Sequence, residues 1–120
     1  MKQLSPYQLG RAGERIALEH LKKKRFKIVS KRFRLYRGEI DLIAYDGNTL
    51  VFVEVKARSE GALGLPEESV DSRKQRQIRK IAEGYLALNG IDDVECRFDV
   101  ISIVFAENGS FSLSHYEDAF

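Results

Sequence analysis

The sequence predicts an α/β fold, a mixed sheet of about five strands flanked by helices in the order αβββαββ. Three observations predict it. Two segments carry apolar residues at helical spacing, five shorter ones read as strands, and Asp46-Gly47-Asn48 and Asn108-Gly109 supply hairpin turns. The second helix falls between the third and fourth strands, where a right-handed crossover is expected. At 120 residues, 43% hydrophobic and 32% charged with two prolines, the chain reads as one domain spanning 1–120.

The first helix opens at Ser5-Pro6-Tyr7-Gln8, with Ser as N-cap, Pro at the first helical position and Gln at the third. Leu9, Ala12, Gly13, Ile16, Ala17 and His20 then recur at helical spacing, carrying the helix to about Lys24. Gly10 and Gly13 each cost about 1 kcal/mol inside a helix; close approach of the backbone to a sheet would offset this. Glu14 lies about 100° from the centre of the apolar face, at its rim beside Gly10.

Phe26–Phe33, Glu39–Tyr45 and Thr49–Arg58 read as strands, and Ser59 to about Glu68 as a loop containing Gly and Pro. The second helix runs from near Ser69 or Asp71 to Leu88, with Ile78, Ile81, Ala82, Tyr85 and Leu86 as its stripe and Asn89-Gly90 as its stop. Glu95–Phe105 and Ser110–Tyr116 complete the set.

Composition excludes several classes. No apolar run approaches the ~20 residues needed to span a membrane, and the N-terminus lacks the apolar core of a signal peptide. Cys96 is the single cysteine, which rules out an intrachain disulfide or a cysteine metal cluster, and His20 and His115 are too few for a histidine-rich site. A cytoplasmic protein is the default expectation.

The net charge of +2 hides an asymmetry: residues 1–80 hold 19 Lys/Arg against 10 Asp/Glu, whereas residues 81–120 hold one against 8. Nine of the sixteen residues in Lys22–Arg37 are basic and none is acidic. Arg73, Lys74, Arg76, Arg79 and Lys80 form a second cluster on the later helix. Most charge runs are simply solvated surface. Two basic patches in the half that also carries Asp41 and Glu54 point instead to a polyanionic partner.

Asp41 and Glu54 matter because strand alternation can bring them together. Leu50, Phe52, Glu54, Lys56 and Arg58 share one face; in the preceding strand Glu39, Asp41, Ile43 and Tyr45 share a face opposite Ile40, Leu42 and Ala44. A four-residue loop pairs Tyr45 with Leu50 and Asp41 with Glu54; a two-residue Asp46-Gly47 loop pairs Asp41 with Phe52. Both are even, so both keep the carboxylates on one face unless a bulge intervenes. Two carboxylates ~5 Å apart repel by about 3 kcal/mol at an effective dielectric of 20. A hard divalent cation such as Mg²⁺ or Mn²⁺ would relieve that repulsion. The bland alternative is a surface Glu54–Lys56 pair, which is worth little, and Leu50 and Phe52 on the same face argue against it.

Glu14 on a first helix, Asp41 in a strand and Glu54-x-Lys56 resemble the PD-(D/E)xK nuclease superfamily, with its restriction-endonuclease-like αβββαβ core. Gly13-Glu14-Arg15-Ile16-Ala17, Gly38-Glu39-Ile40-Asp41-Leu42-Ile43-Ala44, Phe52-Val53-Glu54-Val55-Lys56-Ala57-Arg58, Arg97-Phe98-Asp99-Val100 and Ala119-Phe120 look more closely like the YraN family, small bacterial proteins described as candidate endonucleases. The resemblance implies that Asp41, Glu54 and the Val55 carbonyl bind Mg²⁺ or Mn²⁺, with Glu14 steering a metal-bound water or a second ion. It implies that Lys56 orients or deprotonates the attacking water and stabilises charge on the phosphate. The element order also resembles archaeal Holliday-junction resolvases, which makes branched DNA a candidate substrate by analogy of fold. Many such nucleases act as homodimers, though no stripe in the sequence marks an interface. Ile40 stands where the superfamily motif has proline.

Arg34, Arg37, Arg58, Arg73, Lys74 and Arg76 are the residues expected to meet nucleic acid. Cations at a helix start are unfavourable unless an anion such as phosphate lies nearby. Glu39 reads as a partner of basic surface or as a further acid of the site. Asp99 contacts the cleft, caps, or pairs with an arginine. Phe33, Tyr36 and Tyr7 read as core or as base-stacking groups, and His20 as a core or edge histidine. Three readings follow: a metal-dependent DNA endonuclease, a non-catalytic nucleic-acid-binding or adaptor protein of the same fold, or a structural partner docking through its acidic C-terminal third.

Overall fold

A computed structural model describes residues 4–61 and 70–120. They form helix α1 (Pro6–Lys23), strands β1 (Lys27–Leu35), β2 (Gly38–Asp46) and β3 (Thr49–Ser59), helix α2 (Ser72–Leu88), and strands β4 (Cys96–Phe105) and β5 (Phe111–Tyr116). The αβββαββ order and the mixed five-strand sheet are as expected. Most of the expected loop after Ser59, and Ser69 as a helix start, lie outside the described residues; Ser59 itself ends β3.

Local chemistry accounts for the ends. The Ser5 hydroxyl accepts the Gln8 N–H at 3.1 Å while the Gln8 side chain accepts the Ser5 N–H at 2.8 Å, a reciprocal cap. Asp71 caps α2 through the Lys74 N–H at 2.9 Å. The β1–β2 hairpin turns on Tyr36 and Arg37, both left-handed with φ 53° and 61°. Neither is glycine or asparagine, so the usual sequence signal for such a turn is missing.

The sheet order is β1-β2-β3-β4-β5, antiparallel throughout except for the parallel β3–β4 pair. Tyr45 pairs with Leu50, the first of the two registers derived from the sequence, and the ladder continues to Asp46↔Thr49. Each helix covers one face. Ala17 and Leu21 of α1 pack on Leu42, Ala44, Val51, Val53, Ile101 and Ile103. Ile78, Ile81, Ala82 and Tyr85 of α2 pack on Ile43, Leu50, Phe52, Phe98 and Val100. Gly13 is where α1 meets β3: a Cβ there would stand 2.7 Å from the Ala57 Cβ. The expected close approach therefore holds at Gly13. It fails at Gly10, where an added Cβ would meet nothing within 4 Å. No helix among the described residues is long and apolar enough to cross a membrane.

One departure shapes the site. Alternation is regular from Leu42 to Tyr45, but Ile40, expected on the side of Leu42, packs with Ile43 on the α2 side. The phase changes at Asp41, which stands opposite Arg32 between the pairs Lys31↔Leu42 and Phe33↔Ile40. Arg32 has a left-handed φ of 53°, which turns its strand locally. The β2–β3 ladder ends at Leu42↔Val53, just before Asp41.

Candidate active site

Because alternation breaks at Asp41, the expectation that Asp41 and Glu54 share a sheet face is corrected. Asp41 lines cavities on the α1 side together with Glu14 and Arg32. Glu54 keeps the phase of Phe52 and meets Lys74 of α2. The two are linked through the gap between the strands. Asp41 Oδ2 accepts the Val55 N–H at 2.7 Å, which sets its carboxylate against the backbone between Glu54 and Lys56.

Three elements converge on the α1 side. Glu14, Glu39 and Asp41 each bring a carboxylate oxygen within 4.8 Å of the others. Glu39 therefore lies among the acids, and it also pairs with Arg34 at 3.2 Å, so both of its readings hold. Glu14 is gripped from β1: Arg32 donates three hydrogen bonds to its two oxygens at 2.8–3.1 Å. The left-handed backbone at Arg32 aims its guanidinium at α1, and nothing in a lone arginine within a strand announces that.

Burial and like charge act together on Asp41. Desolvation first, then the charge of Glu54, push its carboxyl up to about 7; Glu14 and Glu39 add to this and the Val55 N–H opposes it. Glu54 is 3% exposed. Its pKa is raised, burial outweighing the nearby cations Lys74 and Lys56. Their Nζ atoms lie 3.2 Å and 3.9 Å from Glu54 Oε2. Burial and the neighbouring Lys74 lower the pKa of Lys56. Burial also acts to lower that of Lys74, but its hydrogen bond to Lys56 and the charge of Glu54 leave it raised.

The residues expected to meet nucleic acid divide. Arg34 and Arg37 border a groove with Gly38 and Glu39. Arg73 and Arg76 are exposed on the first turns of α2, and Arg58 is half-buried on β3. Lys74 sits against Glu54, a placement that basic composition could not reveal. Arg79 lies over Phe98, 4.6 Å from the ring centroid, and Lys80 over Tyr36 at 4.8 Å. Phe33 packs edge-on to Tyr85 in the core. Tyr7, 72% exposed, stands at the rim of the acidic cavity.

A second polar cluster is buried between β4 and β5. Asp99, fully buried, accepts two bonds from Arg97 at 2.9 and 3.0 Å, one from the Asp118 N–H at 3.1 Å, and contacts His115 Nε2 at 2.8 Å. His115 Nδ1 in turn lies 3.0 Å from His20 Nε2. Arginine pairing is thus the role of Asp99, and His20 is an edge histidine.

Fold and site together define an α/β protein whose central sheet opens at one point onto clustered carboxylates and lysines. The chain belongs to the family described as "Uncharacterised protein family UPF0102", whose model matches residues 13–103. This is the YraN-like group that the motifs resembled. It is 44% identical over 115 residues to a UPF0102 protein of Chlorobaculum tepidum, covering 94% of this chain and 88% of that one. It is 47% identical over 112 residues to one of Geotalea daltonii, covering 93% and 88%, and 44% identical over 115 residues to one of Alkaliphilus oremlandii, covering 94% and 97%.

Proposed function

We propose that this protein is a metal-dependent endonuclease that hydrolyses phosphodiesters in DNA, branched or otherwise structured forms included. One observation carries the reading: Glu14 of α1 and Glu39 and Asp41 of β2 bring oxygens within 4.8 Å of one another beside the Glu54-Val55-Lys56 strand. The donor set fits a hard divalent cation such as Mg²⁺ or Mn²⁺, because every candidate atom is an oxygen and close carboxylates need a counter-charge. Bound there, the ion would lower the pKa of a water and neutralise charge on the phosphate.

Asp41, Glu14 and Glu39 would hold the ion from the α1 side with the Val55 carbonyl beside them, and Glu54, on the α2 side of β3, would act on it through its charge across the gap between the strands. Lys56, with its proton affinity lowered, orients the attacking water and offers positive charge to the phosphate as negative charge develops on it. Arg34, Arg37, Arg58, Arg73 and Arg76 supply contacts to the DNA backbone, and a cytoplasmic setting belongs to the same proposal. A homodimer is compatible with it.

A second reading, a non-catalytic nucleic-acid-binding or adaptor protein, draws on a different observation. Glu14, Glu39 and Glu54 each already carry a basic partner, Arg32, Arg34 and Lys74. Incubation with Mg²⁺ or Mn²⁺ and linear, flapped or four-way-junction DNA separates the two. The nuclease reading expects cleavage that Asp41→Ala, Glu54→Ala and Lys56→Ala abolish. Binding with a steep salt dependence but no cleavage by any form selects the second reading.

A further inference from the structure

The shorter ion pair of Glu54 comes from helix α2, not from its own strand: Lys74 Nζ stands 3.2 Å from Oε2 and Lys56 Nζ 3.9 Å. The acid is sealed, its side chain 4% exposed, while that of Lys74 is 36% exposed. Lys74 also borders an open groove with Asp71, Arg73 and Gln77. Asp71 Oδ1 accepts the Lys74 backbone N–H at 2.9 Å, as the helix cap. Lys74 thus has a buried anion on one side and, beside the exposed Arg73, an open groove on the other.

We propose that Lys74 is a switching cation: it neutralises Glu54 while no metal is bound, and it turns to a DNA phosphate when a divalent ion takes over that charge. The proposal rests on the nuclease reading. A sealed carboxylate needs a counter-charge for as long as it is ionised. It cannot keep two ammonium groups and a divalent ion together without strong repulsion among the cations. Lys74 is the more exposed of the two amines and has the flexible four-carbon stem needed to reorient. Metal and DNA then favour one another's binding through this side chain, since coupling between two sites is reciprocal.

The test needs no cleavage. In EDTA, binding of a short DNA duplex is measured against salt for wild type, Glu54→Gln, Lys74→Gln and the double variant. Glu54→Gln stands in for metal-neutralised Glu54 and is expected to tighten binding and steepen the log–log salt slope by about 0.9, one phosphate contact. In the Lys74→Gln background the slope should not change; equal steepening in both backgrounds overturns the proposal. Independently, Lys74→Gln should bind Mn²⁺ several-fold more tightly than wild type, with Lys74→Arg close to wild type. Equal Mn²⁺ affinity for wild type and Lys74→Gln overturns it even if Glu54→Gln fails to fold. If no form binds DNA, or none binds Mn²⁺, the nuclease reading falls and this proposal with it.

Discussion

The Asp41 carboxylate accepts the Val55 N–H at 2.7 Å, fastening β2 to β3 just beyond the point where their ladder ends. A side chain does there what a backbone carbonyl does elsewhere in the sheet. The substitution opens a gap between the strands, and the acids of α1 and β2 and the lysines of β3 and α2 converge around it.

Asp41 should titrate near neutrality. Its carboxyl is pushed from 3.8 up to about 7, so between those values the folded state binds more proton than the unfolded state. Stability is therefore expected to fall as pH rises from about 4 to about 7. Asp41→Asn keeps an oxygen for the Val55 N–H and should stabilise the metal-free protein above pH 7, by at most about 4 kcal/mol for a rise of about three units. Below about pH 4 the gain should vanish. Urea unfolding of both proteins across this range checks the sign.

The Asp99 cluster should matter to folding, not to cleavage chemistry. Burial acts to raise the Asp99 pKa, but the bonds from His115, Arg97 and the Asp118 N–H hold it below the usual carboxylate value. Its stabilisation is present above about pH 4 and is lost as pH falls through the lowered value. Asp99→Ala leaves Arg97 and His115 without their shared acceptor and should cost about 3–5 kcal/mol. Denaturant melts at neutral pH measure that cost.

Gly13→Ala should push α1 off β3. The new Cβ would meet the Ala57 Cβ at 2.7 Å, both on backbone-fixed positions, so the helix must move. A loss of about 1–3 kcal/mol is expected from such overpacking. Glu14 is the next residue, so metal affinity should fall as well, which calorimetric titration with Mn²⁺ detects.

Tyr7→Ala should weaken binding of DNA carrying unpaired bases more than binding of a plain duplex. Tyr7 is 72% exposed at the rim of the acidic cavity, where an unstacked base can lie on its ring. Losing one such stack is worth about 1–3 kcal/mol. Equal weakening on flapped and fully paired DNA would assign Tyr7 no base contact.

Periodicity and turn chemistry made the element order and the caps legible and narrowed the β2–β3 register to two, of which the structure has Tyr45↔Leu50, because each depends on a few neighbouring residues. The face of Asp41 was not legible. It depends on a change of phase shared by Asp41 and Arg32, and Arg32 adopts a left-handed backbone that arginine composition does not announce. Lys74 was readable as basic, but its contact with Glu54 needs the packing angle of α2 on the sheet. The Arg97–Asp99–His115–His20 cluster joins residues up to 95 positions apart, beyond the reach of local pattern. Both roles of Glu39 were open in the sequence, and that they coexist depends on α1 bringing Glu14 beside it.

The central claim is that the carboxylates around Asp41 hold a divalent cation. Titrating Mn²⁺ into wild type and Asp41→Asn above pH 7, with bound ion read by calorimetry, tests it most directly. The account predicts saturable binding to wild type that Asp41→Asn weakens by at least tenfold, about 1.4 kcal/mol. Binding of equal strength in both proteins, or no saturable binding to wild type, would contradict it.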